Sequence, residues 1–358
     1  MAQTQTEQAA PIEARPTELL STLACFNKAC GDELRLQILR VLHQDSYGVM
    51  ELASVFDTRQ SGMSHHLKVL ATAGLVSRRR EGNSIFYSRS YSALEPELAA
   101  LQQHLLDLAD ELALPNEIEQ RLKAVQSERA NLSRGFFEQH AGEFTQQQEQ
   151  ISEFSVYSNP IIALLDQLPA TRRNSVLEIG PGSGQLLEPL SHRFQKVIAL
   201  DNSQEMLESA IAHCQQSGTC NNEQIEFIRG DTGLAVQRSL QVQNIVLNMV
   251  LHHVPSPAEI LGDISKLLDS EGQLFIAELC DHDQDWVRES CGDLWLGVAP
   301  ANLNKWLLSN GMREAGNGQY ITLRNGFRVQ IRQFSKSKNL TPQLSVSTPA
   351  STKHAKAH

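Results

Sequence analysis

The chain has 358 residues, of which 41% are hydrophobic and 20% are charged, a balance typical of soluble globular proteins. This length suggests two domains rather than one. The net charge of −10 argues against a protein that coats nucleic acid with its whole surface. Residues 17–91, however, hold nine Lys and Arg against seven Asp and Glu, so any contact with DNA should be confined to that segment.

We find neither the pattern of a signal peptide nor that of a membrane-spanning helix in the sequence. No apolar stretch approaches the roughly 18 residues that a membrane-spanning helix needs. The segment MAQTQTEQAA is polar and lacks a basic region followed by an apolar one, so we expect no signal peptide, no membrane contact and a cytoplasmic location. Residues 1–16 and 335–358 are polar and lack periodicity, and we predict that both are disordered tails.

Residues 17–91 predict a small domain of short helices followed by a β-hairpin. Helices are predicted over 17–29, 33–43, 49–56 and 59–74, and the strands LVSRRR and SIFYSRS flank a turn at 81–83. The polar side of the fourth helix offers short side chains to base edges, and the hairpin offers arginines to phosphates. The candidate DNA-binding residues are Gln60, Ser61, Ser64, His65 and Lys68 on the helix and Arg79, Arg80 and Asn83 on the hairpin, where Arg89 also suits phosphate contact.

This ordered set resembles the ArsR/SmtB family of winged-helix regulators. The stretches ELRLQILRVL, MSHHLKVLATAGLV and REGNSIFYS each match a family signature in the family's order. The resemblance implies an α+β winged helix-turn-helix domain and a homodimer on a roughly palindromic double-stranded operator. The helix 92–113 would form the dimer contact, with an ordinary core or linker helix as the alternative. Its seam would consist of Leu94, Leu98, Leu101, Leu105, Leu108 and Leu112.

Many members of that family sense metal ions, but the two familiar site patterns are missing here. Gly48 and Met50 stand where one pattern has cysteines. Tyr91 and Ala93 stand where the other begins, and neither side chain suits a metal. We therefore expect no metal ion, and we look elsewhere in the chain for the site that receives the regulatory signal.

The last segment alternates apolar strands with helices, which predicts a parallel α/β sheet. The strand SVLEIG leads into a glycine-rich loop that starts a helix, and the candidate ligand residues there are Glu178, Gly180, Gly182 and Gly184. Position 185 is Gln, so the loop departs from the dinucleotide pattern GxGxxG, and the acid before the first glycine also disfavours NAD. The next strand ends at Asp201, where a carboxylate accepts hydrogen bonds from ribose hydroxyls.

The further ligand candidates follow the later strands. Asn202 and Met206 begin the helix after Asp201, Asp231 could contact the adenine amino group, and Asn248 should face the same crevice. The pattern resembles class I S-adenosylmethionine-dependent methyltransferases over residues 130–334. That resemblance implies a Rossmann-like seven-stranded sheet and S-adenosylmethionine or S-adenosylhomocysteine as the small-molecule nucleoside ligand. Residues 128–144 resemble the lead-in helix that covers the cofactor, with a plain linker as the alternative.

We therefore predict an α/β protein with two functional domains. The expected segments are a tail over 1–16, a winged-helix DNA-binding domain over 17–91, dimerisation and linker helices over 92–127, a methyltransferase-like domain over 128–334 and a tail over 335–358.

The joined domains are similar to S-adenosylhomocysteine-responsive repressors of the methionine cycle. This similarity implies a transcriptional repressor with one of the two nucleosides as its effector. The alternative is an active small-molecule methyltransferase, of the EC 2.1.1 class, with an autoregulatory DNA-binding head. No catalytic residue can be assigned, although His252 or His253 could supply a base. Methylation of DNA is disfavoured, because NMVLHH stands where amino-DNA methyltransferases carry a Pro-Pro motif.

Overall fold

The computed structural model describes residues 16–43, 45–81, 84–90, 96–140, 142 and 144–336. The expectations for 1–15 and 337–358, and for Asn83, Tyr91, Ala93 and Leu94, lie outside the described residues. The first helix begins at Pro16 and the last strand reaches Lys336, so both elements extend into the segments predicted as tails.

The described residues between 16 and 90 form a small helical domain with a three-stranded sheet. Its elements are α1 (Pro16–Cys30), α2 (Glu33–Val41), β1 (Tyr47–Gly48), α3 (Val49–Val55), α4 (Gln60–Thr72), β2 (Val76–Glu81) and β3 (Ser84–Arg89). Asp32 caps α2, since its side chain accepts a hydrogen bond from the amide of Arg35 at 3.0 Å. The sheet has the order β1-β3-β2, and the two-residue β1 was not predicted. Leu52, Met63 and Leu67 are fully buried in the core between the helices.

Two helices connect this domain to the rest of the chain. They are α5 (Pro96–Glu111) and α6 (Asn116–His140). The break between them lies at Pro115, whose carbonyl accepts the first hydrogen bonds of α6. The 25-residue α6 runs without interruption across residues 127 and 128, where the sequence analysis placed a domain boundary. Among the described residues, no helix is long and apolar enough to cross a membrane.

The remaining residues form a mixed sheet covered by helices. The helices are α7 (Phe144–Ile151), α8 (Phe154–Asp166), α9 (Leu187–Ser191), α10 (Gln204–Ser217), α11 (Thr232–Gln237), α12 (Pro257–Leu267), α13 (Trp286–Cys291) and α14 (Pro300–Ser309). The strands are β4 (Ser175–Ile179), β5 (Lys196–Asp201), β6 (Ile225–Arg229), β7 (Val242–Asn248), β8 (Leu268–Leu279), β9 (Met312–Glu314), β10 (Gln319–Thr322) and β11 (Arg328–Lys336).

The strand order is β10-β11-β8-β7-β4-β5-β6, and β9 pairs with β11 beside this path. Strands β4 to β8 are parallel, whereas β11 runs antiparallel to β8, β9 and β10. The main path contains the seven strands that were expected, and the three-residue β9 adds an eighth. The carboxyl ends of β4, β5 and β7 meet at one edge, which is where open α/β sheets place their ligands.

The structure corrects the role expected for Arg89. This residue is buried, and its guanidinium donates to both carboxylate oxygens of Asp110 on α5, at 2.9 and 2.5 Å. Burial acts to raise the pKa of Asp110, but hydrogen bonds from His43 and Arg89 outweigh it and lower the pKa to about 2. Arg89 therefore fastens the hairpin to α5 and does not face a phosphate.

We predict that Asp110→Asn lowers the free energy of unfolding near pH 7 by about 2 kcal/mol, because Arg89 loses a charged acceptor. The difference from wild type should shrink as the pH falls from about 4 towards about 2, because the wild-type carboxylate then takes up a proton and its contribution is lost. Urea unfolding followed by circular dichroism measures both effects. Asp107→Asn, at an exposed carboxylate of the same helix, is the control. Equal losses in the two variants would contradict this role.

Candidate functional site

The glycine-rich loop after β4 adopts backbone angles that favour glycine. Gly180 has a φ of +65° and Gly184 a φ of +83°. A Cβ at Gly180 would lie 2.9 Å from a methyl group of Val250, and one at Gly184 would lie 2.8 Å from the Cα of Ala210. Gly184 therefore permits the close approach of α10, while Gly180 faces the turn after β7. The role of Gly184 is therefore packing, which needs no ligand.

A cleft beside this loop has a cavity volume of about 290 Å³. This volume is close to the lower end of the range of about 300–1,000 Å³ that small-molecule sites occupy. Six of the predicted ligand residues line it: Gly180, Gly182, Asp201, Asn202, Met206 and Asp231. Asn248 lines a smaller cleft of about 50 Å³, which also includes Gly180 and Gly182. Glu178 and Gly184 line neither of these two clefts.

The two carboxyl groups at the ends of β4 and β5 differ in their surroundings. Glu178 is buried on β4, and burial, followed by repulsion from Asp201, raises its pKa well above the usual value. Asp201 lies in the cleft wall and accepts a hydrogen bond from the amide of Ser203 at 2.9 Å. Burial raises the pKa of Asp201 to about 6. Near pH 7 Asp201 is therefore mainly ionised and suited to accept hydrogen bonds from hydroxyl groups.

Two helix starts position the other polar groups of the cleft. Asp231 caps α11, since one of its oxygens accepts a hydrogen bond from the amide of Leu234 at 2.8 Å. Ser203 caps α10 in the same way, with its hydroxyl accepting from the amide of Met206 at 3.2 Å. Met206 is buried one turn along α10 and offers an apolar surface.

Helix α6 supplies one wall of the same cleft through Ala130, Ser133 and Phe137. The hydroxyl of Ser133 donates to the carbonyl of His253 at 2.9 Å. These three residues of the segment 128–144 thus line the cleft. The same helix also packs against α3 of the winged-helix domain.

Arg129 connects three parts of the chain. Its guanidinium donates to both carboxylate oxygens of Glu51 on α3, at 2.7 and 2.6 Å, and to the carbonyl of Pro255 at 3.4 Å. It also lies over the rings of Tyr47 and Trp295, at 4.7 and 4.6 Å from their centroids. Sequence reasoning missed this residue, because its partners are distant in the chain.

A second contact joins the cleft to the winged-helix domain. Ser256 lines the cleft, and its hydroxyl donates to Asp45 at 2.7 Å. Asp45 is buried, which raises its pKa to about 6 in spite of the opposing hydrogen bond from Ser256. Asp45 and Arg129 thus attach the same turn, at Pro255 and Ser256, to the first domain.

The candidate DNA-binding residues of α4 form an exposed face. Exposed side chains are found at Gln60, Ser61, Ser64, His65 and Lys68, whereas Met63, Leu67 and Leu70 are buried on the opposite side. Arg80 on β2 is also exposed, and Asn83 lies outside the described residues. The helix therefore has the amphipathic division that the sequence predicted.

Arg79 does not share the surroundings of Arg80. Successive side chains of a strand point to opposite faces, and Arg79 pairs across the hairpin with Phe86. Phe86 lies against Trp295, with ring centroids 6.0 Å apart, and Arg79 lines a small cavity with Trp295 and Asn302. In this arrangement Arg79 faces the second domain, so it is poorly placed for the predicted phosphate contact.

A buried cluster lies next to the cleft, in the turn after β7. His252 and His253 are buried, and Nδ1 of His252 contacts Glu278 on β8. Burial lowers the pKa of His252, but Glu278 and Asp293 outweigh it and raise the pKa to about 9. Burial and the charge of His252 lower the pKa of His253 well below the usual value. Sequence reasoning missed Glu278 and Asp293, although an acid inside the apolar run LFIAEL is a signal of this kind.

Comparison with known proteins finds related families for both halves of the chain. Residues 32–78 match the family described as bacterial regulatory protein, arsR family, and residues 152–325 match a methyltransferase domain family. The transcriptional activator HlyU of Vibrio cholerae is 35% identical over 95 residues, which cover 26% of this chain and 88% of that protein.

Two methyltransferases are similar to the second half. The ubiquinone biosynthesis O-methyltransferase of Vibrio atlanticus is 26% identical over 186 residues, covering 46% of this chain and 77% of that enzyme. The magnesium protoporphyrin IX methyltransferase (ChlM) of Synechocystis, solved with bound SAM, aligns with 58% of this chain and 97% of its own at 17% identity and a TM-score of 0.45. The predicted fold class is confirmed, and the chain belongs to the arsR family of bacterial regulatory proteins with a C-terminal methyltransferase domain.

Proposed function

We propose that the protein is a cytoplasmic transcriptional repressor whose methyltransferase domain binds S-adenosylmethionine or S-adenosylhomocysteine as an effector. The arsR-family domain supports DNA binding, and the methyltransferase domain supports a nucleoside ligand. The observation that carries the effector role is the shared wall of the cleft. Ser133 and Ser256 line that wall, and the segments that contain them are bonded to the winged-helix domain.

The proposed ligand uses the groups that the cleft presents. Asp201 accepts hydrogen bonds from the ribose hydroxyls, Met206 packs against the adenine, and Asp231 receives the adenine amino group. The backbone of Gly180 and Gly182 approaches the amino-acid part of the ligand, which extends towards Asn248 and the smaller cleft. The two nucleosides share all these contacts, so discrimination between them rests on the sulfonium charge and its methyl group.

Coupling to DNA follows from the turn at Pro255 and Ser256. A ligand that displaces this turn alters the hydrogen bonds to Arg129 and Asp45, and through them the position of α3, which precedes the recognition helix α4. A ligand shifts DNA affinity only to the extent that it binds the two protein conformations unequally. The hydrogen bonds of Arg129 and Asp45 to this turn support such a route.

We propose a homodimer that binds a palindromic operator. Of the expected seam on α5, Leu98 is buried within the chain, while Leu101, Leu108 and Leu112 are 42%, 57% and 63% exposed. Leu101 and Leu108 lie on one face of α5, Leu112 directly follows the helix, and the three side chains suit contact with a second copy. The two recognition helices would then meet half-sites about 34 Å apart in successive major grooves.

A second candidate function is methyl transfer to a small molecule, and the pair of His252 and Glu278 favours it. An imidazole held by a carboxylate is a common arrangement for a general base. A pKa of about 9, however, leaves His252 protonated near pH 7, and this residue lines neither cleft. Both facts favour the sensor. Steady conversion of S-adenosylmethionine to S-adenosylhomocysteine with an acceptor would favour the enzyme.

The central test is the affinity for the DNA upstream of the protein's own coding sequence, measured by fluorescence anisotropy. We expect the affinity to change with S-adenosylmethionine or S-adenosylhomocysteine, and to change unequally with the two. Asp201→Ala should abolish the response and leave unliganded DNA binding intact. Glu208→Ala, at an exposed residue of α10 that lines neither cleft, should respond as wild type does. Indifference of the wild type to both ligands would overturn the effector role.

Glu51→Gln should uncouple the two domains, because it removes the charge that α3 offers to Arg129. We expect ligand affinity, measured by calorimetry, to remain near that of wild type while the ratio of liganded to unliganded DNA affinity moves towards one. Met50→Ala, at the exposed neighbouring side chain, is the matched control. An unchanged ratio in Glu51→Gln would show that coupling does not pass through Arg129.

The double variant Ser64→Ala and His65→Ala should weaken specific DNA binding more than non-specific binding, since these side chains are proposed to read base edges. Each lost base contact should reduce the specific affinity by about 1–3 kcal/mol. Anisotropy with operator DNA and with a scrambled duplex at the same salt concentration separates the two. A uniform loss on both duplexes would assign these residues to the phosphate backbone.

A further inference from the structure

Three buried side chains next to the cleft bring metal-binding atoms together. His252 and His253 lie in the short turn Leu251–His253, and Asp293 follows α13. One donor atom of each lies within 4.8 Å of the other two, and all three residues are buried. In the part of the chain that the structure describes, no other group of three such side chains lies this close. In this turn the ring centroids of His252 and His253 lie 4.0 Å apart, whereas those of His65 and His66 lie 6.0 Å apart.

This cluster contains polar atoms that lack hydrogen bonds. Nε2 of His252 and both carboxylate oxygens of Asp293 are buried without a hydrogen-bond partner among the described residues. The exposed fraction is 0% for His252 and 3% for Asp293. Buried polar atoms are rarely left in this state, because each has lost its contacts with water. A carboxylate and an imidazole nitrogen that are unsatisfied in one small space indicate a bound partner.

The surroundings of His252 fix its orientation. Nδ1 of His252 contacts Glu278, and the other oxygen of Glu278 accepts a hydrogen bond from the amide of Leu251 at 2.7 Å. Nδ1 therefore carries a proton in either charge state of the ring, and a metal ion would take the place of the second proton, on Nε2. A carboxylate behind the imidazole is the usual support of a metal-binding histidine.

The backbone also holds the two contributing segments together. The carbonyl of His252 accepts hydrogen bonds from the amides of Leu294 and Trp295, at 2.9 and 3.0 Å. Asp293 therefore stays beside the histidine turn without any ion, and Nδ1 of His253 lies 3.7 Å from its carboxylate. His252 and Asp293 are thus positioned by secondary structure and main-chain contacts. The ring nitrogens of His253 contact the Gly292 carbonyl and the Gln148 amide, each at 3.3 Å, and one of these contacts would be exchanged for the ion.

We propose that His252, His253 and Asp293 bind a divalent transition-metal ion, with Glu278 orienting His252. Two imidazoles and one carboxylate form a donor set that suits Zn²⁺ and its first-row neighbours, whereas Mg²⁺ and Ca²⁺ prefer oxygen alone. Metal–ligand bonds of about 2.0–2.2 Å require the donors to lie roughly 3.4 Å apart, so donors separated by up to 4.8 Å would approach by up to about 1.4 Å. A water molecule would complete a tetrahedral site.

This site is distinct from the proposed nucleoside site, although the two regions share His253. His253 lines the cleft, and its carbonyl accepts the hydrogen bond from Ser133. An ion would therefore fasten the segment of Asp293 to the turn that forms the cleft wall. The proposal concerns the ion alone and holds whether or not a nucleoside changes DNA affinity.

The test is binding of Co²⁺ and Zn²⁺ to the untagged, full-length protein after treatment with a chelator. We expect one equivalent of Co²⁺ per chain, with visible absorption typical of a four- or five-coordinate ion and without the intense near-ultraviolet bands of thiolate ligands. Asp293→Asn and His252→Gln should abolish this absorption, and Glu278→Gln should weaken the affinity by about 10–100-fold. His104→Gln, at an exposed histidine outside the cluster, should bind as wild type does.

Two results would overturn the proposal. One is a wild-type protein that holds no stoichiometric Co²⁺ or Zn²⁺ in equilibrium dialysis at micromolar concentration. The other is unchanged binding in Asp293→Asn. If that variant fails to fold, as judged by circular dichroism, X-ray absorption of the Zn²⁺-loaded wild type decides the question. Two imidazoles with oxygen ligands would support the site, and sulfur ligands or a single imidazole would refute it.

Discussion

The arrangement of the two domains depends on one buried cation, Arg129. Only 6% of this residue is exposed, so its charge must be met by partners within the protein. Those partners belong to different parts of the chain: the carboxylate of Glu51, the carbonyl of Pro255 and the ring of Trp295. Moving any one of them away would leave a buried charge poorly paired. The winged-helix domain, α6 and the turn after β7 are therefore held as a unit.

Because Arg129 holds these elements together, the proposed regulation would involve a change in how they are arranged. Packed elements of this kind change between discrete arrangements and do not deform gradually, so a ligand at the cleft would favour one arrangement over another. In the arrangement described here, the polar face of α4 is exposed while Arg79 of the hairpin faces the second domain. This arrangement is compatible with the proposed base reading by α4, but not with the phosphate contact predicted for Arg79. A conformation that releases the hairpin would gain a cationic contact with DNA that this one lacks.

Much of the fold could be predicted from local sequence, because its determinants are local. The period of apolar residues set the helices of the first domain, and strand-length apolar runs that end in an acid or a glycine placed Asp201 and the loop at Gly180. Elements of two or three residues, such as β1 and β9, carry no period and were not predicted. The features that the sequence did not reveal depend on distant surfaces: Arg89 bonds to Asp110, and Gly184 packs against α10. No pattern within a few residues of either position contains that information.

The same dependence on residues distant in the chain explains why the sequence did not reveal the contacts of the turn at 251–256. Its histidines read as a possible base, but their partners Glu278 and Asp293 come from two later segments. Five successive residues, 252–256, thus contribute to the metal cluster proposed here, to the wall of the cleft and to the contacts with Arg129 and Asp45. An occupant at either site would therefore act on the winged-helix domain through the same few hydrogen bonds.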